Sequence, residues 1–487
     1  GQNMNMTVWG DIWDSSVQKF ISLVNFSMKP LPCYIKIDAK VDLAAPVSLK
    51  KSMKGDPDII AQLQGNACYS LEGAWYDVHK GGVWQETIST NAKGEATSAK
   101  KYDNGTVLTL TEVKAPPGFK LDPTPHTITI RSGQVNMVYV SDEPTFDPNV
   151  LRFEKKDPYT GETVPQGNAS FKGAVFKWEY FDNQTWSGSP DRTWYLETNE
   201  HGFHGYDKAY LANDYKSDKL YIDKTANGII VNRVPIGSVR ITEVKAPAGY
   251  GQIQTLYANI TQPTNGGAAR FVWTPESAAI VQSKDGRYLF PEPEDRSTYA
   301  SISIQKHDAD TGGAAPNGAN FAGCEFTVYN RSANPVKIGS FPVAAPGEAC
   351  YVLTLDAAGR AATGAEFPLG KYEIRETKGN AYYQCNTGWS QTFEVTMGGN
   401  TAFSFNVANT PVKGHIQLTK IDSTDDKPLT GAVFTVTHPD GHTENMVEEA
   451  NGIHALRNLR YGKYTVQETK APEGYLLDPT VYTVNIT

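Results

Sequence analysis

One ten-residue pattern occurs four times in this 487-residue chain: LTEVKAPPGF at 110–119, ITEVKAPAGY at 241–250, IRETKGNAYY at 374–383 and VQETKAPEGY at 466–475. Each copy sets a Glu two positions after an apolar residue and follows it with a Lys. Three of the four then reach a Pro/Gly corner. Such a pattern is a strand that turns one acid to its apolar face and stops at a tight turn. The recurrence makes the chain a string of related β-domains, and its length gives a prior of about three or four.

Composition supports an all-β reading. The 43 Gly, 29 Pro and 25 Tyr suit many short strands and turns. A formal net charge of −8, with no basic run or basic/aromatic stripe, argues against nucleic-acid binding. No apolar run is long enough to cross a bilayer, and no signal peptide or sorting tail is visible. A start at Gly1 without Met and an end in strand pattern suggest a piece of a longer protein.

A second pattern opens each unit: VSLKK at 47–51, LRFEK at 151–155, ISIQK at 302–306 and IQLTK at 416–420. Alternation puts the apolar residues and the last Lys on one face, so Lys51, Lys155, Lys306 and Lys420 point toward a core, whereas Lys50 and Lys156 face solvent. A polar turn follows, then a strand entered through Gly and a small residue, as in KGAVFKW at 172–178, AGCEFTVY at 322–329 and TGAVFTV at 430–436. Two units close with matching strands, VYVSDEP at 138–144 and FNVANTP at 405–411, which place Asp142 and Asn409 at one position. Boundaries fall near 146, 297 and 413, giving units at 46–146, 147–297, 298–412 and 413–487. The first 45 residues fit the repeat poorly. There, Asp14 or Ser15 could cap a short helix with Val17, Phe20, Ile21 and Val24 on one face, and 34–42 alternates like a strand.

The second and fourth units depart from the pattern. The second carries an aromatic-rich insert near 180–232, including Trp186, Trp194, Tyr206 and Tyr221, and its closing strand is not evident. Asp295 stands there at the same offset from the next opening lysine as Asn409 does. The fourth unit stops before a closing strand.

A Lys from the first strand, a Glu from the repeated box and an Asp or Asn from the last strand can therefore meet in an apolar core. Burying a lone charge costs several kcal/mol, and desolvation favours the neutral forms of both amines and carboxyls. A neutral amine is a nucleophile, and a neutral Glu can polarise the acceptor carbonyl and shuttle a proton as water or ammonia leaves. The product would be an isopeptide bond, formed once per domain without turnover. The alternative is an ordinary buried salt bridge.

Together the K-x-D opening (Lys420-Ile-Asp422), the G-A-x-F strand, the E-T-K-A-P-x-G-Y box and the N-T-P ending resemble the Cna protein B-type (SpaA-like) domains of Gram-positive surface proteins and pilins. The resemblance covers about 46–487. It implies tandem prealbumin-like (inverse immunoglobulin-like) β-sandwiches in an extracellular protein anchored to the cell wall by sortase. It also implies isopeptide lysines at Lys51, Lys155, Lys306 and Lys420, catalytic Glu112, Glu243, Glu376 and Glu468, and acceptors at Asp142 and Asn409, with Asp295 in the second unit. The third box has GNAYY in place of APxG[YF], which puts its turn in question.

Other signals are weaker. In an exported protein, Cys33–Cys68 and Cys350–Cys385 are candidate disulfides, with Cys324 buried and free. Asp308, Asp310, Asp422, Asp425 and Asp426 could hold calcium, but turn chemistry explains them more simply. The nine His show no HExxH or paired-ligand spacing, no GxSxG or phosphate loop appears, and no cofactor is implied. The expected role is a self-crosslinked stalk of an adhesin or pilus-associated protein. The alternative is an adhesive module that binds a host glycan or matrix protein through the aromatic insert. A polymerised pilus shaft is disfavoured by the absence of a YPK-like lysine motif.

Overall fold

A computed structural model describes residues 11–14, 19–22, 44–147, 151–224, 227–284, 287–291 and 298–487. Among the described residues strand accounts for 44% and helix for 4%, so the architecture is nearly all-β, as the turn-rich composition predicts. Four separate apolar clusters each lie between two sheets.

The first sandwich sets the plan. Its smaller sheet places the opening strand Ser48–Met53 between Glu95–Thr97 and the closing strand Met137–Asp142. Its larger sheet runs Val83–Ser89, Trp75–Lys80, Val107–Lys114, His126–Thr129. The opening and closing strands pair in parallel, with Lys51 opposite Val140 and Met53 opposite Asp142. The third sandwich repeats this: Ser301–Asp308 pairs in parallel with Ala402–Asn409, Lys306 opposite Val407 and Asp308 opposite Asn409. First and last strands of a unit thus lie side by side, which is what brings residues far apart in sequence into one site.

The second sandwich does have a closing strand. Arg287–Pro291 lies parallel to the opening strand Arg152–Lys156, with Phe290 opposite Lys155. Asp295, five positions past Phe290, lies outside the described residues. In the first and third sandwiches the acceptor stands two positions past the lysine's partner. In the fourth, Gly414–Thr419 pairs only with Ile453–Leu459 among the described strands, so its other edge is open.

Each box strand carries the same irregularity. The pairing slips by one residue just after the Glu, so that Tyr76, Phe176, Phe326 and Phe434 face Glu112, Glu243, Glu376 and Glu468, and Val113, Val244, Thr377 and Thr469 are left over. A bulge increases the local twist and bends its strand, and here it ends the ladder beside the acid.

The insert of the second sandwich packs inward. Trp194, Tyr206 and Tyr221 are buried in its core beside Trp178, and Tyr195 stacks on Tyr215 at 4.8 Å. Burying the indole and phenol faces stabilises the large core of this unit. No Trp, Tyr or Phe of the insert is fully exposed among the described residues.

Two elements depart from the sequence reading. Residues 11–14 and 19–22 form an antiparallel hairpin with Trp13 opposite Phe20, in place of a helix over 14–24. The aromatic and β-branched residues there favour strand pairing over a short helix that would be marginal alone. The strand expected at 34–42 lies outside the described residues. A helix not anticipated, Pro57–Leu63, is capped by Asp56, carries Pro at its start and buries Ile59 and Leu63. Asp56 also binds Lys224 at 3.0 Å, which joins the first two sandwiches.

The sulfur chemistry is corrected as well. Cys68, Cys324, Cys350 and Cys385 are all free thiols, so Cys350 and Cys385 do not pair, and Cys33 lies outside the described residues. Cys350 is buried with its Sγ donating to the Val328 carbonyl at 3.3 Å, and Cys68 donates to the Asp182 carbonyl at 3.0 Å. Burial pushes the Cys350 thiol up to about 12, which keeps it protonated and inert. Cys324 is fully buried under the third sheet, as its place after Gly323 predicts.

Denaturing the protein without reductant in the presence of iodoacetamide should therefore alkylate both Cys350 and Cys385. Peptide mass mapping that finds both unmodified and linked would show a disulfide instead.

Candidate functional site: a lysine–glutamate pair in each sandwich

The four lysines are positioned by backbone as well as by alternation. The N–H groups of Lys51, Lys155, Lys306 and Lys420 donate to the carbonyls of Gly94, Gly202, Gly359 and Gly452 at 2.7, 3.1, 2.7 and 2.8 Å. All four glycines have positive φ. At Gly94, Gly359 and Gly452 a Cβ would lie 2.5, 2.7 and 2.9 Å from the lysine's own carbonyl oxygen. No other residue fits these turns without moving the reactive strand.

In the first sandwich Lys51, Glu112 and Asp142 are all buried. Lys51 Nζ donates to Glu112 Oε1 at 2.7 Å and to the Tyr76 hydroxyl oxygen at 2.6 Å. Asp142 Oδ2 lies 2.6 Å from the same nitrogen. That approach lacks hydrogen-bond alignment, and neither Asp142 oxygen has a hydrogen-bond partner among the described residues. Burial, opposed by Lys51 and reinforced by Glu112, pushes the Asp142 carboxyl up to about 7. Burial, with Glu112 and Asp142 nearby, raises Tyr76 well above the ordinary phenol range and keeps it protonated. Tyr76 stands where the other units have Phe176, Phe326 and Phe434. The signal that could have found it is the Tyr in GAWY against the Phe in the other copies.

The other oxygen of the Glu is held by the loop after the box. Glu112 Oε2 accepts from the Asp122 amide at 2.9 Å, Glu243 Oε2 from Ile253 at 2.8 Å and Glu468 Oε2 from Asp478 at 2.8 Å. Each donor is ten residues downstream of its Glu. The third box, with GNAYY, does not supply this bond, and Glu376 Oε2 has no hydrogen-bond partner among the described residues. Glu376 Oε1 instead serves two groups, accepting from Lys306 Nζ at 2.7 Å and from Asn409 Nδ2 at 2.8 Å. Asn409 is buried and also donates to the Gln384 carbonyl at 2.6 Å.

In the second sandwich Lys155 Nζ donates to Glu243 Oε1 at 2.8 Å in full burial, over the Phe176 ring. In the fourth, Lys420 Nζ lies 2.9 Å from Glu468 Oε1 and keeps 19% of its side chain exposed beside the open edge. These two sandwiches share a feature that the sequence reading missed. His204 lies opposite Phe153 and His454 opposite Leu418, each two residues before the lysine, where the first and third units have Ala96 and Ala361. Both imidazoles are buried without a hydrogen-bond partner among the described residues. Burial, with Lys155 nearby, drives His204 well below the ordinary range, and burial also lowers His454.

The K-x-D aspartates close the far end of the site. Tyr250, Tyr383 and Tyr475 donate their hydroxyls to Asp157, Asp308 and Asp422 at 2.8, 2.8 and 2.6 Å, tying the last box residue to the opening strand's turn. In the first unit Phe119 and Met53 stand at these two positions, so the hydroxyl–carboxylate bond is not made there. Burial opposes ionisation of Asp308, but the Arg460 guanidinium, the Thr311 amide and Tyr383 outweigh it and hold the carboxyl at about 2. Asp308 and Asp310 are thus engaged in turn bonds and in ion pairs to Arg460 of the fourth sandwich, at 2.7 and 2.6 Å.

The raised Asp142 has a definite pH consequence. A carboxyl with a folded pKa near 7 and an unfolded one near 3.9 binds its proton more tightly when folded. Its stabilising contribution is complete below about pH 4 and is lost as pH rises through about 7. Replacing Lys51 removes the cation that pulls Asp142 down. The Lys51→Met variant should therefore be more stable to urea at pH 5 than at pH 8, by roughly 3 kcal/mol. Equal midpoints at the two pH values would show that Asp142 is ionised throughout.

Residues 65–144 and 414–487 match the family model described as SpaA, prealbumin-like fold domain. Among solved structures, the Bacillus anthracis TIE protein is similar at 18% identity, over 86% of this chain and 67% of that one, with a TM-score of 0.35. A streptococcal ancillary pilin is 17% identical over 69% and 96% of the two chains, TM-score 0.25. BcpA, the major pilin subunit of Bacillus cereus, is 14% identical over 76% and 100%, TM-score 0.31. No curated protein matches the chain. Residues 65–144 and 414–487 thus carry the match to the SpaA prealbumin-like fold domain, in a chain whose two intervening sandwiches repeat the lysine–glutamate pair.

Proposed function

We propose that this chain is a load-bearing stretch of a Gram-positive cell-surface protein, an adhesin or pilus component, whose first and third sandwiches crosslink themselves. The reading is carried by one observation: a buried lysine amine in contact with both a buried Glu and a buried acceptor carboxyl, on first and last strands that run in parallel.

The chemistry follows from the contacts. Glu112 takes a proton from the Lys51 ammonium and leaves an amine. Nζ then bonds to Cγ of protonated Asp142. Glu112 passes a proton to the departing hydroxyl and takes one from the new amide nitrogen as the C–O bond breaks. One water leaves, and Glu112 ends protonated. In the third sandwich Glu376 plays the same part between Lys306 and Asn409, the C–N bond breaks, and ammonia leaves. Glu376 already touches both the amine and the amide nitrogen that must depart. Tyr76 accepts a hydrogen bond from the Lys51 nitrogen, a positioning role.

For the second sandwich the lysine and Glu are in place and the acceptor lies outside the described residues. For the fourth, Lys420 and Glu468 await a strand on the open edge. None of this is turnover, since each site is consumed by its own product.

A covalent tie closing a loop of about 90 to 100 residues removes unfolded-state entropy worth on the order of 4–5 kcal/mol, by analogy with a disulfide of that span. It also prevents force on the termini from peeling apart the first and last strands. That property suits a stalk that holds a binding domain away from a cell wall, to which a sortase would attach it.

The test is the intact mass of denatured, reduced protein. Wild type should weigh less than its sequence by at least one water and one ammonia, and peptide mapping should place the links at Lys51–Asp142 and Lys306–Asn409. The Glu112→Ala/Glu376→Ala variant should recover both losses. A wild-type mass equal to the bare sequence would reduce the lysines to ion pairs and remove the basis of the mechanical reading.

A further inference from the structure

The fourth sandwich holds a cluster of metal-type ligands that the isopeptide chemistry does not use. The hairpin between Val433–Thr437 and Thr443–Asn445 turns through His438, Pro439, Asp440, Gly441 and His442. Its closing bond runs from the His438 amide to the His442 carbonyl at 2.9 Å, so the two histidines face each other across the turn. Their rings stack with centroids 3.7 Å apart and 27° between planes. Glu444, two residues beyond His442, falls on the same face and pairs with Val436. The His-x3-His spacing of 438 and 442 is that of a ligand pair on a helix, a signal set aside because no HExxH motif surrounds it; here a turn folds the pair back on itself.

The donor atoms converge. One ligand atom from each of His438, His442 and Glu444 can be chosen so that all lie within 4.8 Å of one another. His438 Nε2 is buried without a hydrogen-bond partner among the described residues, and it lies 3.5 Å from Glu444 Oε2. Two donors bound tetrahedrally to one zinc at about 2.1 Å sit roughly 3.4 Å apart, so this pair is already at ligand separation. His442 is prepared in another way: its Nδ1 lies 2.6 Å from Asp440 Oδ1, which fixes the tautomer with the proton on Nδ1 and leaves Nε2 as the donor. A carboxylate behind a histidine in this manner is the usual outer-shell support of a metal-bound imidazole.

The space in front of the cluster is open. A cleft of about 250 Å³ is lined by His438, Asp440 and His442, by Arg460 and Tyr464 of the same sandwich, and by Asn317 of the third. It leaves room for a fourth, exchangeable ligand.

We propose that His438 Nε2, His442 Nε2 and Glu444 bind one late first-row divalent cation of the zinc type, at the end of the fourth sandwich that faces the third. Two imidazoles and one carboxylate suit zinc, cobalt, nickel or copper ions and not calcium or magnesium. A cation there would fasten the hairpin turn beside the Arg460 ion pairs that join the two sandwiches.

The experiment uses the full chain without a histidine tag, stripped with EDTA and titrated with CoCl2 while visible absorption is recorded, then with ZnCl2 by calorimetry. One saturating equivalent, with the intense visible bands of a four-coordinate cobalt site displaced by zinc, is the expected result. His442→Ala, whose side chain is half exposed and carries no core contact, should lose the bands and weaken zinc binding at least 100-fold. Asp440→Asn should weaken it roughly 10-fold or more while retaining the bands, since it acts through His442. No saturable cobalt site in the wild type would overturn the proposal, as would binding that is undiminished in His442→Ala.

Discussion

Everything distinctive in this structure depends on an ammonium group held in an apolar core. A lysine buried without compensation would cost several kcal/mol, and a buried ion pair recovers that cost only when its geometry is close and its remaining polar atoms are satisfied. Each sandwich meets the first condition by placing Nζ 2.7 to 2.9 Å from a Glu oxygen. The surrounding devices then read as consequences: a left-handed glycine that grips the lysine's backbone, a bulge that ends the ladder beside the acid, and a loop amide that takes the second oxygen in three sandwiches. The parallel pairing of opening and closing strands adds the third group.

The four units differ in how completely they satisfy that core, and the differences are chemical. Among the described residues, the first leaves both Asp142 oxygens without aligned donors, and the third leaves Glu376 Oε2 and Asn409 Oδ1 without a hydrogen-bond partner. Unsatisfied buried atoms are costly in a resting protein, and they are where bond formation would relieve the cost. The second and fourth units put a histidine where the others have alanine, filling the same pocket with a ring that stacks on Phe176 or meets Phe434 edge-on. The Tyr–Asp bond of three units is absent from the first, where Phe119 and Met53 hold the two positions.

The joints between sandwiches are made of a few directed polar contacts. Asp56 meets Lys224, Asn265 accepts from the Ala115 amide, Gln166 accepts from the Lys337 amide, and Arg460 grips Asp308 and Asp310. Several of these residues also serve a site: Gln166 donates to Asp157, and Asp308 receives Tyr383. In the second and third sandwiches the K-x-D turn is therefore tied to the next unit in the chain.

The sequence by itself determined the repeat, the strands and the lysine–glutamate pairing. Period-two alternation and a fourfold box are local signals, and local signals survive in one dimension. The tertiary structure decided whatever depends on partners distant along the chain. It paired 11–14 with 19–22 as strands, where apolar residues at helical spacing also fit strands, and it kept Cys350 and Cys385 as separate thiols. It gave the second sandwich a closing strand from 287–291, a stretch whose flanking prolines hide it. It placed Tyr76 on Lys51 and folded His438 against His442. A side chain's face can be read from alternation, but the atom it meets is fixed only when two strands choose their register.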